Sequence, residues 1–322
     1  MKKRLRIGVS LAGFDFSGNL SALLTNNGYS LVTPEQPLKN AMDIANFFDK
    51  CDVIIAGSEP LHQLVTSSEN LKLILRAGVG IDNFPPALCE SKGISWILAD
   101  SQVIDSVTNY VLANILSITS GLHQNRIMTQ PTWRKVMPKG ISESTIGIIG
   151  FGRIGSSLLN RLLQFPFAQF KIHDVSKIIL EERFNLKQIG RIEQVDLETC
   201  LSQSDIVSLH IPLNSSTKNL LNDSNLSLMR QDSWLINTSR GEIVDESSLY
   251  EILKHQRLGG AVLDVFLEEP YTGPLIHLKN AVLTPHIGTY NLHTRIEMER
   301  FLVDKALDYI SEFNNTSPAE IK

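Results

Sequence analysis

The sequence of 322 residues has few cysteines, no long apolar run and no block of like charge. Its three cysteines, Cys51, Cys89 and Cys200, lie far apart without CxxC spacing, which argues against a disulfide framework and a structural zinc site. The one basic run covers residues 2–4, and the formal net charge is −4, so the electrostatic footprint of a nucleic-acid binder is missing. We therefore expect neither a metal nor a nucleic-acid partner.

No apolar run approaches the ~20 residues that a membrane-spanning helix needs. The start of the chain alternates like a strand and lacks the apolar core of a signal peptide. We therefore expect no membrane partner, and the cysteine usage favours the cytoplasm. Hydrophobic residues make up 43% of the chain and charged residues 20%, which is typical of a globular protein. At this length two domains are expected.

Short β-rich runs alternate with helical patterns through residues 1–100, and this alternation predicts βαβ units on a parallel sheet. Residues 106–122 carry apolar residues at helical spacing, which predicts a long helix leading into a second domain. A second alternating series starts at Thr145 and continues to the LTPHIG segment. The chain is therefore expected to form two parallel α/β domains.

The last helical pattern, residues 291–313, follows the strands of the second series and is too long for a simple cap. We expect this helix to return to the first domain and so to make that domain discontinuous. The predicted boundaries place residues 1–101 and 288–322 in the first domain. Residues 102–287 then form the second domain.

The string TIGIIGFGRIG is an apolar strand that runs into three glycines spaced as GxGxxG. In a dinucleotide fingerprint Gly150 makes the tight turn, Gly152 lets the backbone approach a pyrophosphate, and Gly155 lets the helix pack on the strand. The amides of Arg153 and Ile154 then lie at a helix N-terminus, which favours an anion. The spacing predicts a dinucleotide site at the start of the second series.

Asp174 ends the next predicted strand, 24 residues after Gly150, where a carboxylate can accept hydrogen bonds from the adenosine ribose. Such a carboxylate repels a 2′-phosphate, so NAD is preferred over NADP as the cofactor. Lys177 lies nearby in the sequence, and its positive charge acts in the opposite direction. A structural βαβ unit with an incidental aspartate at the strand end is the alternative.

Three later segments, NTSRGEIVDESSL, LGGAVLDVFLEEP and LTPHIG, resemble the signature blocks of the D-isomer-specific 2-hydroxyacid dehydrogenases, and SLHIPLNSSTKNLLN precedes them. IIAGSEP and LKLILRAGVGIDN are similar to the phosphoglycerate dehydrogenase-like branch, in a short form without its regulatory domain. The resemblance covers about residues 50 to 300, in the family order. It implies a Rossmann dinucleotide-binding domain inserted into a flavodoxin-like parallel α/β substrate domain.

The same resemblance implies an activity and an assembly. The activity is an NAD-dependent hydride transfer between C2 of a D-2-hydroxy acid or 2-keto acid and nicotinamide, with D-3-phosphoglycerate as the first candidate substrate. The assembly is a homodimer. In this interpretation residues 102–287 bind NAD, and the discontinuous domain binds the small-molecule substrate.

Arg240, Glu269 and His286 are the candidate catalytic residues. Arg240 follows the strand SWLINT, at the end of a parallel strand where ligands gather. Its planar guanidinium can hold a carboxylate through two hydrogen bonds. The alternative interpretation is that Arg240 is a surface residue in a loop. His286 follows the last strand of the second series, and histidine is the usual proton shuttle near neutral pH. By resemblance, Glu269 is the carboxylate that hydrogen-bonds His286. Only the family pattern selects Glu269 over the adjacent Glu268.

Other positions are assigned to binding by resemblance, although each could also be a cap or turn residue. The cofactor positions are His210 and Pro212 on the adenosine and ribose side, Thr217 near the pyrophosphate, Thr238 and Ser239 against the nicotinamide half, and Asp264 at the carboxamide. The substrate positions are Arg240 and the loop residues Gly78, Val79 and Gly80, whose backbone amides can face a carboxylate as an anion-binding nest does. Asn83 is expected to hold that loop.

The chain also departs from the family pattern. Where the family carries a segment like NTPGANAxSVAE, this chain reads LADSQVIDSVTN, with Asp100, Val103 and Asn109 in place of proline, asparagine and an acidic residue. IIAGSEPLHQ lacks the arginine of many phosphoglycerate enzymes and adds Glu59, and Arg76 is a substitute cation if it points into the cleft. The alternative function is therefore a non-catalytic NAD(H)-binding protein, a co-repressor-like or sensor protein on the same fold.

Overall fold

The structure is a computed structural model, and it describes residues 4–11, 13–36, 38, 40–125, 135–182 and 184–315. Among the residues so described, no helix combines the length and the apolar character needed to cross a lipid bilayer. Strands and helices alternate along the chain, as the sequence pattern predicts.

All paired strands are parallel and belong to two sheets. In chain order they are β1 Leu5–Val9, β2 Tyr29–Val32, β3 Val53–Ala56, β4 Leu73–Arg76, β5 Ser95–Leu98, β6 Thr145–Ile149, β7 Gln169–His173, β8 Ile192–Gln194, β9 Ile206–Leu209, β10 Trp234–Asn237, β11 Gly260–Leu263 and β12 Ala281–Leu283.

All of the described helices except the last lie between successive strands. They are α1 Leu20–Asn26, α2 Ala41–Phe48, α3 His62–Ser67, α4 Pro86–Ser91, α5 Ser101–Thr119, α6 Arg153–Leu162, α7 Leu186–Ile189, α8 Leu197–Gln203, α9 Asp223–Leu226, α10 Glu246–Lys254 and α11 Leu292–Asn315. Short 3₁₀ turns lie at Ile141–Glu143, Leu180–Glu182, Gly241–Ile243 and Pro274–His277. The long helix predicted at residues 106–122 therefore begins earlier, and the sequence pattern missed both β8 and α7.

The chain divides into two compact units. Unit 1 comprises residues 1–103 and 290–322, and unit 2 comprises residues 104–289. Unit 1 is thus discontinuous in sequence. The boundaries predicted from the sequence lie within a few residues of these, and the assignment of substrate binding to unit 1 stays a prediction.

Unit 1 is built on a five-stranded sheet with the order β2-β1-β3-β4-β5. This is the flavodoxin-like order, in which the chain direction across the sheet reverses between β1 and β3. Helix α11 completes the core of this unit, because Leu302, Val303 and Ala306 are buried in the same apolar cluster as Ile7 of β1. The hydroxyl of Tyr29 donates to the Ala306 carbonyl oxygen at 2.6 Å.

Unit 2 is built on a seven-stranded sheet with the order β12-β11-β10-β9-β6-β7-β8. This is the doubly wound Rossmann order with one further strand, and its direction reverses between β6 and β9. Strands β9, β10 and β11 are buried along their whole length, because helices cover both faces of a parallel sheet. Aspartate side chains start two of the helices. Asp196 accepts from the Thr199 amide at 2.7 Å and Asp245 from the Ser248 amide at 2.9 Å.

Candidate active site

The glycine loop lies between β6 and α6, at the point where the sheet of unit 2 reverses. Gly150 has φ +95°, and a Cβ there would lie 2.4 Å from the carbonyl oxygen of His210. A Cβ on Gly155 would lie 2.1 Å from the Gly150 carbonyl oxygen. Both positions therefore require glycine, because backbone atoms cannot yield as a flexible side chain can.

Helix α6 begins immediately after Gly152, which is its N-cap residue and carries no side chain to cap it. A Cβ on Gly152 would have no atom within 4 Å. The first amides of the helix, those of Arg153 and Ile154, thus lie beside open space at the positive end of the helix dipole. This arrangement suits an anion such as a pyrophosphate.

Asp174 follows β7 and binds the glycine loop. Its Oδ2 accepts from the Phe151 amide at 2.7 Å, and its Oδ1 accepts from the Ser176 amide at 2.8 Å. An ionised carboxylate has about four lone-pair sites, so both oxygens can accept further hydrogen bonds. Asp174 can therefore hold the loop and still accept from ribose hydroxyls.

The segment after β9 faces the glycine loop. His210 Nε2 lies 2.9 Å from Ser208 Oγ, and desolvation lowers the pKa of His210 to about 4, although part of the side chain remains exposed. The imidazole is therefore neutral at pH 7. Thr217 holds the following turn, because its hydroxyl donates to the Pro212 carbonyl oxygen at 2.6 Å and accepts from the Asn214 amide at 2.9 Å.

The segment after β10 carries Thr238 and Ser239. The Ser239 hydroxyl donates to the Leu209 carbonyl oxygen at 2.6 Å, which joins this segment to the end of β9. The Thr238 hydroxyl is buried and has no hydrogen-bond partner among the described residues. A buried hydroxyl without a partner is costly, so Thr238 is a position where a bound ligand can supply the missing hydrogen bond.

Arg240 is positioned by backbone contacts on both sides. Its carbonyl oxygen accepts from Asn237 Nδ2 at 2.8 Å, and its Nη1 donates to the Ser239 carbonyl oxygen at 2.7 Å. A Cβ on the next residue, Gly241, would lie 2.0 Å from the carbonyl carbon of Phe266. The glycine therefore lets the arginine segment pack directly on the segment that carries Glu269.

Glu269 and His286 form a hydrogen-bonded pair. Glu269 Oε2 lies 2.9 Å from His286 Nδ1, and Glu269 Oε1 accepts from the Phe266 amide at 3.2 Å. Burial alone would raise the pKa of Glu269, but the hydrogen bond and charge of His286, the Phe266 amide and the charge of Arg240 outweigh it and lower this pKa. The pair lines a pocket of about 530 Å³ whose other walls are mainly apolar.

A buried carboxylate fixes the loop that presents His286. His286 has φ +55°, a conformation that costs a non-glycine residue about 1–2 kcal/mol. Asp264 is 1% exposed, and its two oxygens accept from the Ile287 and Gly288 amides at 2.8 and 2.7 Å. These hydrogen bonds hold the strained residue in place. The carboxylate that the sequence assigns to the nicotinamide carboxamide therefore binds the His286 loop in this structure.

Tyr110 and Thr284 extend this hydrogen-bonded chain. The Thr284 hydroxyl donates to Asp264 Oδ1 at 2.6 Å, and its oxygen lies 2.6 Å from the Tyr110 hydroxyl. Because the Thr284 hydrogen is used on Asp264, Tyr110 is the donor to Thr284. Burial raises the pKa of Tyr110, so the phenol stays protonated. Sequence reasoning missed both residues, and the one signal for Thr284 was its place in LTPHIG.

The predicted substrate loop of unit 1 follows β4. Gly78 has φ +137°, and Asn83 holds the loop as expected. Asn83 is 6% exposed, and its Nδ2 donates to the Gly57 and Glu59 carbonyl oxygens at 3.1 and 2.9 Å. Arg76 is also 6% exposed, and its Nε donates to Asn83 Oδ1 at 3.2 Å. The guanidinium of Arg76 therefore takes part in holding the loop.

Residues 112–288 match the family model of the NAD binding domain of the D-isomer specific 2-hydroxyacid dehydrogenases. The chain belongs to this family. A hydroxypyruvate reductase of Thermotoga maritima is 30% identical over 292 residues, which cover 88% of this chain and 92% of that protein. A D-3-phosphoglycerate dehydrogenase of Methanocaldococcus jannaschii is 31% identical over 73% of this chain and 45% of that protein. The crystal structure of the TT0316 protein of Thermus thermophilus has a TM-score of 0.81 at 25% identity, covering 96% of this chain and 97% of that one.

Membership of the 2-hydroxyacid dehydrogenases confirms several predictions. The fold is α/β with a Rossmann domain, the chain is an NAD-dependent dehydrogenase of this family, and its cofactor is NAD. The residues present fit NAD. Three features lie around the carboxyl ends of β6, β7 and β10: the open space at Gly152, the accepting oxygens of Asp174 and the unpartnered hydroxyl of Thr238. Within the described residues, no group of three or more metal-ligating side chains comes together.

The segment in which this dehydrogenase departs from its family spans the boundary between the units. Val103 is 1% exposed and lies in the apolar core of unit 1. In unit 2, Asn109 accepts from Arg161 Nη1, and Asp105 lies 2.5 Å from Arg161 Nη2. Asn109 thus keeps a hydrogen bond to a cation at the position where the family carries an acidic residue.

Proposed function

We propose that this dehydrogenase reduces a short 2-keto acid to the D-2-hydroxy acid with NADH, and catalyses the reverse reaction, through Arg240, Glu269 and His286. The observation that carries the proposal is the 2.9 Å hydrogen bond between Glu269 Oε2 and His286 Nδ1. The charge of Arg240 also acts on Glu269, so these three side chains belong to one electrostatic site. Bound NAD supplies the hydride carrier.

His286 moves the proton of the reaction. Its Nδ1 faces Glu269, which leaves Nε2 as the edge for substrate. During reduction, protonated His286 donates a proton to the keto oxygen as the hydride reaches C2. During oxidation, it accepts the hydroxyl proton. Glu269 accepts the hydrogen bond of Nδ1 and so holds the imidazole in one orientation.

Arg240 binds the carboxylate that all 2-hydroxy and 2-keto acids share. Its planar guanidinium can donate two parallel hydrogen bonds to that group, which fixes the direction of C2 as well as its distance. Backbone contacts at Ser239 and Asn237 hold the arginine in position. In unit 1, the amides of the Gly78–Gly80 loop are the second group proposed to bind the substrate.

Asp174 is proposed to select NAD over NADP, since it would repel a 2′-phosphate. We expect NADH to bind much more tightly than NADPH. Asp174→Ala should narrow that difference, as measured by fluorescence titration of each cofactor. Asp105→Ala is the matched control. Equal affinities of the unmodified protein for NADH and NADPH would refute this role.

Steady-state kinetics test the activity. The purified protein is assayed with NADH against 3-phosphohydroxypyruvate, hydroxypyruvate, glyoxylate, pyruvate and a bulky 2-keto acid. Family resemblance makes the phosphorylated acid the first to test. Binding of NADH without turnover of any acid would contradict the proposal and favour the non-catalytic alternative. That alternative is not favoured, because Arg240, Glu269 and His286 are all retained.

The homodimer and the cytoplasmic location expected from the sequence stay predictions. The dimer is proposed to form through the nucleotide domain, as the family resemblance implies. Light scattering of the purified protein measures its mass in solution, and a monomeric mass would contradict the dimer. Fractionation of cells that express the protein tests the location.

A further inference from the structure

The turn after β7, residues 174–178, carries the carboxylate proposed to bind the adenosine ribose. Asp174 is its first residue, and Ile178 at its end packs against an apolar cluster of unit 2. The three residues between them are exposed, and Val175 is exposed completely. These three side chains bury little apolar surface, so the conformation of the turn depends on its hydrogen bonds.

One side chain of the neighbouring strand makes three of these hydrogen bonds. Gln194 is the last residue of β8, and its Oε1 accepts from the Ile178 amide at 2.9 Å. Its Nε2 donates to the Ser176 carbonyl oxygen at 2.7 Å and to the Asp174 carbonyl oxygen at 3.4 Å. The side-chain oxygen faces an N–H and the nitrogen faces two carbonyls, so only this orientation of the amide satisfies all three contacts. Gln194 thus binds the first, the middle and the last residue of the turn.

The same turn orients the carboxylate of Asp174. Its Oδ1 accepts from the Ser176 amide at 2.8 Å, and Ser176 is also the residue whose carbonyl oxygen Gln194 binds. Its Oδ2 accepts from the Phe151 amide of the glycine loop at 2.7 Å. A displacement of Ser176 would therefore remove one of the two donors that fix the direction of the carboxylate.

Lys177 brings the opposite charge into the same turn. Its side chain is exposed, and Gln194 binds the backbone of the residue on either side of it, Ser176 and Ile178. A cation attracts the 2′-phosphate that a carboxylate repels. The balance of these two charges at the ribose therefore depends on the conformation of the turn.

We propose that Gln194 is a positioning residue for cofactor selection, because it fixes the turn after β7 with the carboxylate of Asp174 directed at the adenosine ribose. The inference rests on the proposed function, in which Asp174 selects NAD, and deepens it by naming a residue on which that selection depends. Without Gln194 the turn is free to move. NADH then loses a preorganised acceptor, and NADPH meets less repulsion.

Fluorescence titration of NADH and NADPH tests this role. Gln194→Met keeps the length of the side chain but removes its three hydrogen bonds. It should reduce the preference for NADH about tenfold, an effect typical of residues in one hydrogen-bond network. Gln194→Ala should act in the same direction, and Gln203→Ala, at the exposed end of α8, is the matched control. If both Gln194 variants bind the two cofactors with an unchanged ratio of affinities, Gln194 has only a structural role and the proposal is wrong.

A double variant separates this proposal from the role of Asp174. In the Asp174→Ala background, Gln194→Met should change the ratio of affinities little, because Gln194 acts through Asp174. A full effect in that background overturns the proposal. If Asp174→Ala narrows the preference and Gln194→Met does not, only the role of Gln194 fails. If Asp174→Ala leaves the preference unchanged, the proposed role of Asp174 fails, and the inference fails with it.

Hydrogen exchange of the cofactor-free protein examines the turn without any ligand. Exchange in the peptide that contains residues 174–178 should be on the order of tenfold faster in Gln194→Met than in the intact protein, because the Ile178 amide loses its acceptor and the turn opens more often. Gln203→Ala should exchange like the intact protein. Unchanged exchange of this peptide in Gln194→Met would show that Gln194 does not hold the turn, and would overturn the proposal.

Discussion

Two parallel α/β units carry very different groups at the carboxyl ends of their strands. In unit 2, the titratable pair Glu269 and His286 lies beside the buried carboxylate of Asp264, and hydrogen bonds to backbone amides hold both acids. In unit 1, a glycine-containing loop is held by one buried amide side chain, Asn83. The same architecture thus carries the residues proposed for proton transfer in one unit and the loop proposed for substrate recognition in the other.

The departures from the family pattern are distributed unevenly between the units. Asp100, Val103 and Glu59 lie in unit 1 and Asn109 lies in unit 2, whereas the signature blocks that resemble the family most closely all lie in unit 2. The proposed proton-transfer site needs groups at fixed distances, and the hydrogen bonds of Asp264 hold the loop of the strained His286. A recognition loop can change its side chains while its backbone is held, so substrate preference can vary without loss of the chemistry.

Removal of the histidine should give the largest effect and tests whether unit 2 alone carries the proton transfer. His286→Ala should lower kcat by on the order of 10²–10⁴-fold, the usual contribution of a positioned acid–base group, with little change in NADH affinity. His293→Ala, at an exposed position of unit 1, is the control. An unchanged kcat in His286→Ala would remove this residue from the mechanism.

Replacement of the arginine should have the next largest effect. Arg240→Lys keeps the charge but loses the two-point hold on the carboxylate, so kcat/KM should fall on the order of 100-fold for every acid tested. Arg257→Lys, on the exposed surface of unit 2, is the control. If the loss is confined to a single acid, Arg240 binds a substituent and does not bind the shared carboxylate.

A change in unit 1 should affect binding more than chemistry. Asn83→Ala leaves the Gly57 and Glu59 carbonyls and the Arg76 guanidinium without this partner, which should reduce the free energy of unfolding by about 2 kcal/mol. KM should rise about tenfold with a smaller change in kcat, because the loop loses its preorganisation. Asn26→Ala is the control. A fall in kcat at constant KM would contradict the division of roles between the units.

The smallest expected effect is a pH-dependent stability in unit 2. The pKa of Glu269 is lowered from 4.5 in the folded protein, so its ionised form stabilises the fold above pH 4.5. This contribution disappears as the pH falls through the lowered folded-state pKa. Since the side chain is 37% exposed, Glu269→Gln should reduce the free energy of unfolding at pH 7 by less than about 1 kcal/mol.

Urea unfolding of the intact protein, Glu269→Gln and the control Glu268→Gln at several pH values measures this difference. The gap between the intact protein and Glu269→Gln should close in strongly acidic buffer, where both side chains are uncharged. If the difference in free energy of unfolding instead widens below pH 4.5, the ionised form of Glu269 does not stabilise the fold. Glu268→Gln should have the same free energy of unfolding as the intact protein at every pH tested.

The local parts of the fold could be predicted from the sequence because they depend on contiguous residues. The fully buried strands consist mainly of apolar residues. The GxGxxG spacing meets its backbone requirements within one strand, turn and helix. β8 escaped prediction, because the three residues of IEQ form no apolar run. The start of α5 was placed too late, at Ser106, since its first five residues, SQVID, include three polar side chains.

The order of parallel α/β elements and the glycine loop follow from the sequence alone, because each is encoded in short contiguous strings. The candidate catalytic residues also lie in such strings, but resemblance to the family was needed to select Glu269 over Glu268. The tertiary structure alone decided which distant strings meet. Parallel strands bring their carboxyl ends to one edge of a sheet, so Asp264 reaches the His286 loop and Gly241 packs on Phe266. The same packing buries Arg76 and turns a candidate substrate ligand into a support of the loop, since side-chain partners depend on the fold and not on sequence spacing.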